Sequence, residues 1–218
     1  MSFTSERPNF FEALKEDDTK VTWGPEEDVC GIIVGGSSVP GINSCIASIV
    51  NTCVNNGITC LGIERGFREL KKCTRIEKTQ LPSFIKKLTM ENVGKRYMEG
   101  GSLLYTSDEQ LRNEKETETA LKVLETYQVS LLITIGGVET CQSANHLFSM
   151  SKTISVRHIP KTIFNDLPLP PNCTTFGYST ARQLGTEIMS NTSQDAKAMN
   201  RWYIITCLGW RSGSNIYI

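Results

Sequence analysis

Two stretches of this chain, CGIIV at 30–34 and SLLITI at 130–135, are apolar almost throughout, and each runs straight into a pair of glycines, Gly35–Gly36 and Gly136–Gly137. A short run without polar alternation reads as a strand buried on both faces, and such strands occur in parallel sheets covered by helices. After the first glycine pair, Ile42, Cys45, Ile46, Ile49, Val50 and Cys53 recur at spacings of three and four, predicting a helix that Gly57 closes. A second strand is expected at 59–63 (TCLGI) and a helix over 108–127, where Leu111, Leu121, Leu124 and Tyr127 form one core-facing stripe. Beyond Gly137 the pattern predicts a helix to about Met150, a strand at 153–157, a proline-rich loop at 160–173, a helix from Ser179 to Asn200 and a final strand at 202–208. Residues 71–100 carry no clear period.

Strand alternating with helix predicts an α/β fold, a parallel sheet covered by helices on both faces. Its post-strand loops gather at the carboxyl edge of the sheet, where such folds bind ligands. Residues 1–29 read as an N-terminal extension and 30–218 as one lobe. Lysine and arginine number 23 against 23 acidic residues, so no overall field gathers nucleic acid or an anionic membrane. No apolar run is long enough to span a bilayer and the first 20 residues contain no signal-like stretch, which points to a cytoplasmic protein. The eight cysteines lack paired C-x-x-C spacing and are expected as reduced, packed thiols. Two histidines, His146 and His158, give a metal site or a Ser-His-Asp triad little to build on.

The two glycine turns carry the first functional expectation. Backbone N–H groups at a strand-to-helix turn can hold a phosphate, with Ser37 and Ser38 as further donors in GGSSVPGIN, and IGGVET repeats the arrangement on the same edge.

The segment RHIPKTIFNDLPLP, from Arg157 to Pro170, resembles the P-K-T-I-D-N-D-L segment of phosphofructokinases, above all their pyrophosphate-dependent branch. With it, VGGSSVPGINSCI is similar to the family's G-G-x-A-P-G-x-N opening loop and CLGIERGFREL to its G-x-x-x-G-x-x-G-L segment. GGSLLYTSD resembles G-G-T-x-L-G-T-S-R, IGGVET resembles I-G-G-D-[DG]-S/T, FGYSTA resembles the F-D-T-A stretch, and CLGWRSG resembles V-M-G-R-x-x-G. Together they cover residues 30 to 213 in the family's order. The resemblance implies the N-terminal lobe of a phosphofructokinase, the second lobe being absent from this sequence. It also implies phosphoryl transfer from ATP or pyrophosphate to the 1-hydroxyl of fructose 6-phosphate, with Mg²⁺ and a general base.

At the family's catalytic base this sequence has Phe164, and at its magnesium-associated carboxylate Val138, so no intact catalytic residue and no metal ligand is expected, and Mg²⁺ use is in doubt. Asp108 and Trp210 replace arginines, with Arg211 a possible substitute for the second, and Ser37 replaces a glycine at the donor phosphates. The expected phosphate-binding residues are Gly36, Ser37, Gly136, Gly137, Glu139 and Lys161, and the substrate-binding residues Thr162, Asp166, Arg201, Leu208 and Gly209. The expectation is a catalytically impaired regulatory or structural subunit that binds fructose 6-phosphate, pyrophosphate or phosphate and assembles as a homo- or hetero-oligomer with a phosphofructokinase subunit. The alternatives are an active enzyme using Glu139 or Asp166, and a truncated copy without function.

Overall fold

The apolar runs become neighbouring strands of one sheet in a computed structural model, which describes residues 28–206 apart from 75, 78, 79, 168 and 171. Strands β1 (Val29–Val34), β2 (Thr59–Ile63), β3 (Ile85–Leu88), β4 (Val129–Gly136) and β5 (Ser155–Pro160) are ordered β3-β2-β1-β4-β5. β1 pairs in parallel with β2 and β4, and β4 in parallel with β5. All six residues of β1 are buried, as a central strand with both faces covered requires.

Helix α1 (Ile42–Asn55) packs Ile42, Ile46 and Val50, all fully buried, into one apolar layer with Cys30, Ile32, Val34 and Leu88. Burying each such side chain contributes about 1.5 to 3 kcal/mol. The opposite layer takes Leu121, Val123 and Leu124 of α3 (Glu114–Thr126) and Leu147 of α4 (Val138–Met150) against Ile33, Leu61 and Leu132. The short α2 (Met90–Gly94) starts at a capping box between Thr89 and Asn92 and buries Val93. Helix α5 (Tyr178–Met199) is the longest among the described residues, and Tyr178 is its only buried residue.

Four expectations need correction. The sheet is not wholly parallel, because β3 pairs antiparallel with β2. Its sequence, IKKL, is short and turns both lysines to solvent, which suits an edge strand and leaves no apolar run to notice. The helix expected from 108 begins at Glu114, where the Asn113 side chain accepts from the Glu116 N–H; Leu111 is buried, but ahead of the helix. β5 lies at 155–160 rather than 153–157. Residues 202–206 form no strand, and Trp202 and Ile204 are 99% and 95% exposed. An apolar run becomes a strand only beside an open sheet edge, and α5, about 33 Å long at 1.5 Å per residue, separates this run from β5. Residues 1–27, and with them nearly all of the expected extension, lie outside the described residues, as do Leu208, Gly209, Trp210 and Arg211.

Candidate functional site

The chain leaves β1 toward β2 on one side and β4 toward β5 on the other, so the order reverses between β1 and β4. Open α/β sheets have their ligand crevice outside the carboxyl ends of the strands at such a reversal. Both glycine turns lie there: the Gly35 N–H donates to the Ile135 carbonyl at 2.9 Å and the Gly36 N–H to the Ser107 carbonyl at 3.0 Å. Thr140, in the first turn of α4 and 4% exposed, fills the space between the turns. A Cβ at Gly35 would lie 2.3 Å from its Oγ1, and one at Gly136 2.2 Å from it, so neither position accepts a side chain beside Thr140.

The residue after β5 locks this arrangement. The Lys161 N–H donates to the Gly136 carbonyl at 2.8 Å, and its Nζ donates to the Gly35 carbonyl at 3.0 Å and to the Ser37 carbonyl. Lys161 is 2% exposed, and burial pulls its ammonium down to about 8, an effect that nearby Asp108 partly offsets. Two of its three N–H donors therefore brace the first turn. Next in the chain, the Phe164 N–H donates to Thr162 Oγ1 at 3.0 Å, Thr175 Oγ1 to the Thr162 carbonyl at 2.7 Å, and the Thr175 N–H to Asn165 Oδ1 at 3.0 Å. Those bonds fold 162–166 back over the strand ends.

A cleft of about 310 Å³ results. Gly36, Ser37, Gly137, Val138, Glu139, Lys161, Thr162, Phe164 and Asp166 all line it, with Asp108, Glu109 and Thr140. Gly136 does not line it and is buried. Nor does Arg201, which is exposed beyond the far end of α5 with its N–H on the Ala196 carbonyl. Helix α4 starts at the cleft without a side-chain cap at Gly137, the kind of helix start whose free N–H groups can receive an anion.

The cleft's carboxylates are not equivalent. Glu109 is held 2.6 Å from Lys71, which lowers its proton affinity and commits it to pinning its own loop. Asp108, Glu139 and Asp166 are exposed. Among the described residues no three carboxylates converge on one point, and the position between the second glycine turn and Glu139 is the hydrocarbon of Val138. A hard divalent cation takes oxygen ligands, so Val138 offers it none, and the carboxylates on the cleft wall are those of Asp108, Glu109, Glu139 and Asp166.

Sequence reasoning missed Thr140 as the spacer between the turns and Lys161 as their brace. Thr140 stands in the quoted GGVET motif, yet nothing in a motif tells which member packs and which binds.

Comparison with known proteins gives one answer. The family pattern described as Phosphofructokinase matches residues 29–215. The chain is 43% identical over 185 residues to a pyrophosphate–fructose 6-phosphate 1-phosphotransferase of Thermotoga maritima, covering 84% of this chain and 42% of that protein. It is 37% identical over 185 residues to a protein of the same description from Naegleria fowleri, covering 84% and 41%. It thus spans about two fifths of the length of both relatives. The fold is similar to that of a pyrophosphate-dependent phosphofructokinase of Marinobacter aquaeolei, with a TM-score of 0.63 at 17% identity over 79% of this chain and 42% of that one.

Proposed function

The chain belongs to the phosphofructokinase family, and from that premise we propose that it binds a phosphate compound at the cleft without efficient phosphoryl transfer, as a regulatory or structural subunit beside a competent phosphofructokinase. The observation that carries this is that Val138 and Phe164, which stand where the family resemblance puts carboxylates, both line the cleft beside Lys161. Neither can accept a proton or ligate a hard cation. Loss of a positioned general base alone lowers a rate by about 10² to 10⁴.

What remains suits an anion. The open start of α4, the first glycine turn and the remaining Lys161 donor favour pyrophosphate, free phosphate or a sugar phosphate over nucleoside triphosphate, beside which Asp108 adds repulsion. Exposed Leu184, Ile188 and Trp202 support assembly with another subunit. No described helix is long and apolar enough to cross a membrane, which agrees with action in the cytoplasm.

A coupled assay with fructose 6-phosphate, Mg²⁺ and either pyrophosphate or ATP tests the reading. The expected turnover is at least about 10²-fold below the 1 to 100 per second typical of kinases, while calorimetry detects sub-millimolar binding of a phosphate compound that Mg²⁺ does not change. Turnover in the usual range defeats the proposal. It would favour an active enzyme using Glu139 or Asp166, the exposed acids on the cleft wall, and loss of that turnover in Glu139→Gln or Asp166→Asn would name the group.

A further inference from the structure

Away from the cleft, three thiols from three elements meet between the sheet and α1. Cys30 on β1 and Cys60 on β2 are register partners in parallel neighbours, and Cys53 reaches them from the last turn of α1. Their sulfurs all lie within 4.8 Å of one another, and the Cys30 thiol donates to the Gly31 carbonyl at 3.9 Å. Their exposures are 0%, 1% and 5% for Cys30, Cys60 and Cys53. Among the described residues no other three potential metal-ligating side chains converge so closely. A three-coordinate centre with bonds of about 2.3 Å holds its sulfurs about 4 Å apart when flat and closer when pyramidal, as trivalent arsenic is. Small side-chain rotations are enough to close the three around one atom.

The surroundings select which atom. The thiols belong to the apolar cluster that contains Ile32, Ile46, Val50 and Leu88. The side chains of that cluster are hydrocarbon and thiol, with no charged group among them. A divalent ion held by three thiolates leaves one uncompensated negative charge in that cluster, and a monovalent ion leaves two. A buried unpaired charge is strongly unfavourable. A trivalent element leaves none.

We propose that Cys30, Cys53 and Cys60 form a binding site for a trivalent, sulfur-seeking metalloid, with arsenous acid as its representative. Arsenous acid carries three hydroxyls. In each of three exchanges an As–O bond breaks, an As–S bond forms, and the thiol proton leaves on the departing hydroxide as water. The products are three waters and a neutral tris-thiolate, with no change of oxidation state. The exchange needs no thiolate in advance, because each proton leaves with an oxygen. Entry runs through the end of α1, where Cys53 sits three residues before the capping Asn56 and helices fray first. Once bound, the centre ties α1 to β1 and β2.

The test titrates the full chain with arsenite under a phosphine reductant. Native mass spectrometry is expected to find one arsenic per chain with the loss of three hydrogens, and X-ray absorption three sulfur neighbours. Binding is lost in Cys53→Ala and kept in the double variant Cys141→Ser/Cys173→Ser, whose cysteines are exposed. Zinc binds at least about a hundred-fold more weakly, because its complex buries a charge. If Cys53→Ala does not fold, the unchanged protein still decides: binding to the folded state raises its unfolding midpoint with arsenite, whereas capture by unfolded thiols lowers it. No bound arsenic, two sulfur neighbours, arsenic retained by a folded Cys53→Ala, zinc binding as tight as arsenite, or a lowered midpoint each overturns the proposal.

Discussion

Helices α1 and α5 begin alike and end in different circumstances. Each opens at a glycine in the left-handed region, Gly41 at φ 87° and Gly177 at φ 91°, without a side-chain cap. The two starts interlock: a Cβ at Gly41 would meet the Phe176 ring at 3.0 Å, and one at Gly177 would meet Val39 at 2.9 Å. From there α1 buries Ile42, Asn43, Ile46, Val50 and Cys53 against the sheet, whereas α5 leaves Leu184 and Ile188, four residues apart on one face, 51% and 61% exposed. An apolar stripe states that a helix requires a partner. It does not state that the same chain provides one.

Three measurements break or sharpen that contrast. The largest effect is expected in α1, where Ile46→Ala removes a fully buried side chain and lowers stability by about 2 to 5 kcal/mol, while Ile188→Ala in α5 changes it by less than about 0.5 kcal/mol. Urea denaturation of both variants checks this, and an Ile188→Ala loss above about 1 kcal/mol would mean that α5 packs as α1 does.

The second concerns Lys161, which joins the sheet body to the arm carrying α5 and pairs with Phe176 across the joint. Its ammonium is drawn from 10.5 to about 8, so between those values the unfolded chain holds a proton that the folded chain has released. The stability of the native protein relative to Lys161→Met is therefore flat below about 8 and rises as pH climbs toward 10.5, by an amount on the order of 2 to 3 kcal/mol. The comparison with the variant cancels the buried thiols and Tyr127, whose raised values act in the opposite sense. A gap that shrinks over this range would mean that the carbonyls of Gly35 and Ser37 hold the charge more strongly than burial expels it.

The smallest effect separates conformation from contact. Gly57 also has positive φ, but nothing lies within 4 Å of where its Cβ would be, so Gly57→Ala carries the backbone penalty alone, about 1 kcal/mol. Gly177→Ala adds the contact with Val39 and is expected to cost about 1 to 2 kcal/mol. Equal midpoints for the two variants would show that the helix starts do not interlock.

The sheet body was legible because β1, β2 and β4 are mostly apolar runs and because glycine pairs mark where two of them stop. The edge strand β3 was not, since two of its four residues are exposed lysines. The run at 202–206 misled for the reverse reason: its residues suit a strand, but strand formation depends on a neighbour that sequence order does not announce. In the cleft, motif resemblance brought Gly36, Ser37, Glu139, Lys161, Thr162 and Asp166 to one place, as lining residues of one cavity. It could not say that Lys161 spends two donors on carbonyls 124 and 126 residues earlier in the chain, because motif matching carries no distances.

The strand order also sets a schedule for folding. β1, α1 and β2 can close a local unit within 35 residues, but the other side of β1 waits for β4, whose pairing joins Val34 to Ile135. Such a pairing closes about a hundred residues of intervening chain before it is rewarded by contacts, and topologies rich in it fold slowly. On a ribosome adding about 5 to 20 residues per second, β1 therefore stays unpaired on its β4 side for several seconds after it emerges. Its six apolar residues, all buried at the end, are during that time open to wrong partners, and a chaperone that recognises short apolar runs has a site there.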